Sequence, residues 1–233
     1  MLVRLLTFAL FQVASPATAT TPPRLAAGGA ATGGAAAVSP EVVCAVQHAA
    51  RWREPAWSPR ECARVAAALD ATPTPRLLAA VVSNESDWRE EAILKIRPGV
   101  YDVGLAGVRC VLPGAGAEAT GASSASSTTT RIQTPRGRAT SGACTNGPAR
   151  GLTIRQLQDP ATNIRVAAEV LAEKGGDLGS YNGATTRKKR DRYASKIAAL
   201  VSAFGGVEVP VRGRRLREMV RKVVAAVARV EKS

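Results

Sequence analysis

Leu77-Leu78-Ala79-Ala80-Val81-Val82-Ser83-Asn84-Glu85-Ser86-Asp87-Trp88 is the stretch that decides the fold. It follows Thr74-Pro75, a capping side chain before a proline at the first helical position, so the apolar run reads as a helix ending beside Glu85. A carboxylate at the end of an apolar helix is partly stripped of water. It also lies at the negative end of the helix dipole. Both effects favour the protonated form and suit the group to donate a proton near neutral pH.

Upstream, Ser39-Pro40 and Ser58-Pro59 repeat the same start signal, and Ser58 with Glu61 makes a capping box. Apolar residues follow at helical spacing, as in Val42, Val46 and Ala49, or Val65, Ala68 and Leu69. Three helices therefore open the domain. Residues 20–38 are almost entirely Thr, Pro, Ala and Gly, too poor in apolar surface to offset the cost of ordering, and read as a disordered linker. Residues 1–19 have the three parts of a signal peptide: Arg4, the apolar stretch Leu5 to Ala14, and Ala17-Thr18-Ala19 as a cleavage site. The chain is accordingly expected to be exported, to a periplasmic or extracellular location. The first cysteine is Cys44, far from that cleavage site, which argues against a lipid anchor.

Cys44, Cys62, Cys110 and Cys144 are the four cysteines. An even count in an exported chain predicts two disulfides, for which three pairings exist. Cys44 with Cys62 and Cys110 with Cys144 is favoured because each pair brackets one local segment. A zinc site would call for close pairs of the C-x-x-C kind, and none is present, so no metal is expected.

Downstream, the residues from Pro113 through Thr130 are nearly all Gly, Ala, Ser and Thr, and Gly-rich polar sequence continues. Residues 113–150 read as an inserted surface loop tied down by Cys110 and Cys144. Asp159-Pro160 starts another helix, with Ile164, Ala167, Ala168 and Leu171 on one face and Gly175-Gly176 as its stop. A further helix covers about 188–204. In residues 206–233, Leu216, Met219, Val220, Val223, Val224, Val227 and Val230 form one stripe, with Arg215, Arg217, Arg221, Lys222 and Arg229 mostly off it. That is a basic amphipathic helix, expected to dock on its own domain, on an envelope or secretion-apparatus protein, or on an anionic membrane surface. Alternating strand patterns are scarce. The expected class is mainly α, with a helical domain over 39–205.

The 233 residues are 45% hydrophobic, which excludes a wholly disordered chain. No internal apolar run approaches the roughly 20 residues needed to span a bilayer, so no transmembrane segment is expected in the mature chain. The net charge of +14 favours an anionic partner: nucleic acid, a membrane face or a wall polymer. Arg187-Lys188-Lys189-Arg190-Asp191-Arg192 has no interleaved aromatic residues for base stacking, and export also argues against nucleic acid. His48 is the only histidine, so any Ser-His-Asp or Cys-His site would have to be built on it, and no nucleophile motif supports one. Trp52, Trp57 and Trp88 have rings able to stack on sugars but are expected chiefly to fill the core, with Trp88, three residues from Glu85, both structural and close to it.

Five landmarks then stand in order between residues 77 and 200. They are Glu85-Ser86; Asp102-Val103-Gly104-Leu105; Leu157-Gln158-Asp159-Pro160 with Asn163-Ile164; Tyr181-Asn182; and Tyr193-Ala194-Ser195-Lys196-Ile197. This order resembles the lytic transglycosylases with the soluble-lytic-transglycosylase (SLT) domain, relatives of goose-type lysozyme. The resemblance implies a lysozyme-like helical domain acting on peptidoglycan glycan strands, without metal or organic cofactor. It implies Glu85 as general acid and base, Ser86 and Tyr193 as groups orienting it, Gly104 and Leu105 along the cleft, and Tyr181 and Asn182 in the sugar subsites. The implied product is a 1,6-anhydro sugar. This chain departs from the family where Ala106-Gly107 replaces Met-Gln and where Ser180 replaces the Ala before Tyr-Asn. Loss of the amide-bearing side chain supports a rival reading, a weakly active or inactive peptidoglycan-binding envelope protein on the same fold. A hydrolytic lysozyme is a further alternative.

Overall fold

A computed structural model describes residues 36–51, 55–114 and 142–232, and the described residues are mainly helical. The expected signal peptide, most of the expected linker, Trp52 and the centre of the expected loop lie outside them.

Helices α1 (Pro40–Ala50) and α2 (Pro59–Asp70) begin as their sequences dictate. Ser39 accepts from the Val42 N–H, and Ser58 and Glu61 exchange both bonds of the capping box. Cys44 is bonded to Cys62, which ties the two helices together. Helix α3 (Pro75–Glu85) also starts on its proline, but Thr74 makes no side-chain capping bond. Burial holds this helix instead. Leu78 through Ser83 are all enclosed, so α3 is the central helix, packed by α7 (Arg187–Phe204), α2 and α5 (Pro160–Glu173).

The chain leaves α3 through two consecutive left-handed residues, Asp87 with φ 51° and Trp88 with φ 64°. Non-glycine residues adopt that region at a cost, and it persists here because the neighbours over-determine it. The Trp88 ring is buried against Trp57 and Phe204 and donates from Nε1 to Ser83 Oγ at 2.9 Å. Arg215 Nη2 meets Asp87 Oδ2 at 3.0 Å.

An antiparallel sheet follows in the order β1 (Ile93–Arg97), β2 (Val100–Val103), β3 (Val108–Val111). Asp102 pairs in register with Arg109, and Val103 with Val108. The segment after β3 returns at Cys144, bonded to Cys110, and is pinned by Asn146, which accepts from Val111 N–H at 2.7 Å and donates to the Arg109 carbonyl at 2.9 Å. Thus both disulfides join the pairs favoured from the sequence. A short 3-10 turn (Gly147–Ala149) and helices α4 (Ile154–Gln158), α5 and α6 (Leu178–Tyr181) lead on to α7.

Helix α8 (Arg214–Val230) turns its apolar stripe onto the chain itself: Val220, Val223 and Val227 are buried against α1 and α7. The face that the sequence left open to a partner is therefore taken up internally. Among the described residues, no helix is long and apolar enough to cross a membrane.

Candidate active site

Glu85 is the last residue of α3 and opens into a cleft of about 340 Å³. The β2–β3 turn forms one side of this cleft, the segment around Asn146 to Ala149 another, and Tyr181 to Gly183 a third. Tyr193, one turn and a half into α7, donates from its hydroxyl to Glu85 Oε1 at 2.6 Å. Asn84 Nδ2 donates to the same oxygen at 3.2 Å. The carboxylate is reached by solvent from the cleft, but the protein around it is the largest influence on its ionisation. Loss of hydration raises its pKa above the usual glutamate value, with the negative charge of Asp102 adding to the rise; Tyr193, Asn84 and Lys196 oppose it.

The hydroxyl groups of Tyr193 and Tyr181 are both pushed well above the ordinary phenol range, first by burial and then by the Glu85 charge. Both stay protonated. Tyr193 is thus a donor to Glu85 rather than a proton acceptor.

What holds the opposite side of the cleft is one buried amide. Asn163, in α5, donates from Nδ2 to the carbonyls of Val103 at 2.8 Å and Leu157 at 2.7 Å, and accepts at Oδ1 from the Ala106 N–H at 2.7 Å. Tyr181 donates to the Ala106 carbonyl at 2.8 Å. Both backbone groups of Ala106 are therefore fixed, and the turn between β2 and β3 is delivered against Glu85. A methyl group at Gly107 would lie 3.3 Å from Glu85 Cβ and 3.4 Å from Oε2, on a backbone with φ 62°.

Asp102 and Glu173 are the other acids lining the cleft. Asp102 is engaged by a side-on pair of bonds from Arg109, Nε to Oδ1 at 2.9 Å and Nη2 to Oδ2 at 3.1 Å. Such a bidentate pair fixes both partners. Gly183 has φ 68°, and a side chain there would begin 3.2 Å from the outer nitrogen of Arg109.

The residues expected at the site are not all found at the cleft. Ser86 is buried and does not orient Glu85 by a hydrogen bond; it donates to the Val82 carbonyl at 3.3 Å and accepts from the Arg89 N–H at 3.2 Å, closing the turn after α3. Leu105 is fully buried in the core and does not line the cleft. Gly104, with φ 75°, shapes the turn because a side chain would overlap Asn163 Nδ2 and the Leu157 carbonyl. Tyr181 lines the cleft while acting as a strut to Ala106, and Asn182 lines it from an exposed position. The Arg109 clamp and the steric role of Gly107 were not read from the sequence. The pairing of Asp102 with Arg109 depends on the strand register, which the sequence does not announce. His48 is exposed on α1, away from the cleft. Among the described residues, no group of three or more His, Cys, Asp or Glu side chains is placed to hold a metal ion. No family model, curated protein or solved structure matches the chain.

Proposed function

We propose that the chain is an exported lytic transglycosylase that cleaves the β-1,4 bond between MurNAc and GlcNAc in peptidoglycan, with Glu85 as general acid and then general base. The observation that carries this reading is the 2.6 Å hydrogen bond from Tyr193 to Glu85 in a cleft whose surroundings raise the pKa of that carboxyl. A glycosidic bond breaks through an oxocarbenium-like transition state, and its oxygen must be protonated as it leaves. Protonated Glu85 gives that proton. Most glycosidases use a second carboxylate as nucleophile or base. Asp102 is the acid that Glu85 senses electrostatically, and Arg109 holds both of its oxygens, which suits it to a structural part rather than to attack.

The resemblance supplies a route without a second acid. The substrate's acetamido oxygen bonds to C1 as the leaving oxygen, protonated by Glu85, departs; Glu85 as carboxylate then takes the proton of the C6 hydroxyl, whose oxygen attacks C1 and displaces the acetamido oxygen. The 1,6-anhydro product forms without water. Two disulfides suit an oxidising compartment, periplasmic or extracellular.

One observation favours a second reading on the same fold, a peptidoglycan binder of little activity: Gly107 puts no side chain beside Glu85 to contact a sugar. The two are separated by treating purified sacculi with the wild-type protein and with Glu85→Gln, and weighing the released fragments. Fragments lighter by one water than hydrolytic muropeptides, lost in the variant, support the transglycosylase. Reducing-end fragments make the protein a hydrolase. Binding with no release makes it a binder. General acid catalysis is worth roughly 100- to 10,000-fold, so the variant's loss is readily measured.

A further inference from the structure

The net charge of +14 does not reside in the cleft. There Glu85, Asp102 and Glu173 stand against Arg109 and Lys174, so the acids slightly outnumber the bases. No residue of α8 lines the cleft, yet residues 212–232 contain eight Lys and Arg and only two Glu.

Folding accounts for only part of the placement of those cations. The first turn of α8 holds Arg214, Arg215 and Arg217 with no acid, and Gly213 offers no side-chain cap. Cations at the positive end of a helix dipole destabilise the helix. Arg215 is compensated by Asp87, Arg221 by Glu208 at 3.3 Å and Lys222 by Glu218 at 3.2 Å. Among the described residues, Arg214 and Arg217 have no ion pair. Arg214, Arg217 and Arg221 recur at three- and four-residue spacing, which sets them along one side of the helix over about 10 Å. All three are exposed, and they lie off the stripe of Val220, Val223 and Val227 that packs on α1 and α7.

We propose that the outer face of α8, centred on Arg214, Arg217 and Arg221, is a docking surface for a linear phosphate-bearing polymer outside the cytoplasm, separate from the Glu85 cleft. Arginine forks match phosphate oxygens, and a row of them along a straight helix follows an extended polyanion. The chemistry disfavours two other polyanions. A membrane-embedded helix needs a free apolar face, and that of α8 is buried; among the described residues the exposed large hydrophobics are Leu94, Ile96 and Val207, none of them on α8. Single-stranded nucleic acid is bound with stacking aromatics, and α8 has none. The two disulfides also fit a compartment away from nucleic acid. The inference is independent of whether Glu85 is catalytic.

The test measures binding of the full chain to fluorescently labelled long-chain polyphosphate across a salt series. One variant replaces Arg214, Arg217 and Arg221 with Gln. A charge-matched control replaces Lys188, Lys189 and Arg192, which are exposed on α7. Circular dichroism verifies that both remain folded. The α8 variant is expected to bind about tenfold more weakly or worse, with a log–log salt slope shallower by about two, at roughly 0.7 per lost phosphate contact. The control is expected to lose less than about a third of that slope change. Equal losses in the two variants would overturn the proposal, since binding would then follow net charge alone. Tighter binding to phosphatidylglycerol–phosphatidylcholine vesicles, or to an oligothymidylate, than to polyphosphate would overturn it in favour of that partner.

Discussion

Tyr193 and Glu85 are 108 residues apart in sequence and meet through one hydrogen bond of 2.6 Å, from the phenol to Oε1. The bond favours the carboxylate and so works against the surrounding protein, which favours the carboxylic acid. Tyr193→Phe removes the largest of the opposing influences, and the pKa of Glu85 rises further. An enzyme that needs Glu85 protonated loses activity as pH climbs through that pKa, so the alkaline limb of the pH–kcat profile moves to higher pH. The plateau is expected to fall roughly tenfold, because a hydrogen bond to a charged group is worth about 1.5–3 kcal/mol and also orients it. An alkaline limb that stays in place in Tyr193→Phe would mean that another group governs it.

Gly107→Ala tests the other side of the same carboxylate. The added methyl would be 3.3–3.5 Å from the Glu85 side chain, on a backbone with φ 62°. A left-handed non-glycine residue costs about 1–2 kcal/mol, and Glu85 must also shift by a few tenths of an ångström. The expected outcome is a small fall in Tm with a disproportionate fall in kcat, since near-attack geometry is more sensitive than packing. A Tm loss with unchanged kcat would show that Oε2 is not the oxygen that faces the substrate.

Asn163 carries the turn that brings Gly107 into place. Asn163→Ala leaves the Ala106 N–H and the carbonyls of Val103 and Leu157 without their buried partner. Each unsatisfied buried group costs about 1–3 kcal/mol. A loss of about 3 kcal/mol is expected after partial relaxation, and with about 2–4 °C per kcal/mol for a domain of this size, Tm falls by about 10 °C. Asn163→Asp is expected to fare little better, because its two oxygens cannot donate to two carbonyls. Thermal unfolding of both variants measures this directly.

These sites also show how far a sequence can be read. Ser39, Ser58 and Asp159 cap their helices through local bonds, and local bonds are visible in local spacing. Thr74 likewise precedes a proline, yet it makes no such bond, and burial of Leu78 to Ser83 secures α3 without it. The sheet is not legible in the sequence because its strands are only four or five residues long, too short for a period of two to stand out, and β1 is mostly exposed. Asp159-Pro160 and Asn163 stand together in the sequence as one landmark, but the reach of Asn163 to a turn 57 residues away is a property of the fold. The stripe on α8 announced that a face would be buried. Periodicity does not say against what, and the answer, α1 and α7, is set by tertiary packing.

The two disulfides are expected to separate stability from activity. Cys44–Cys62 closes a loop of 18 residues and Cys110–Cys144 one of 34, so by loop-closure entropy either is worth about 3 kcal/mol, the longer slightly more. Their surroundings differ. Cys44 and Cys62 join α1 to α2, elements that contribute no residue to the Glu85 cleft. Cys144 instead anchors the segment from Asn146 to Ala149, which forms one wall of that cleft. Replacing Cys44 and Cys62 together with Ala should therefore lower Tm by about 5–12 °C, at about 2–4 °C per kcal/mol, with kcat/KM retained at temperatures where the variant is folded. Replacing Cys110 and Cys144 should lower Tm by a similar amount and also raise KM, because Thr145 and Asn146 alone are left to hold the wall on β3. Equal kcat/KM in the two folded variants would show that those hydrogen bonds suffice and that the second disulfide serves stability only.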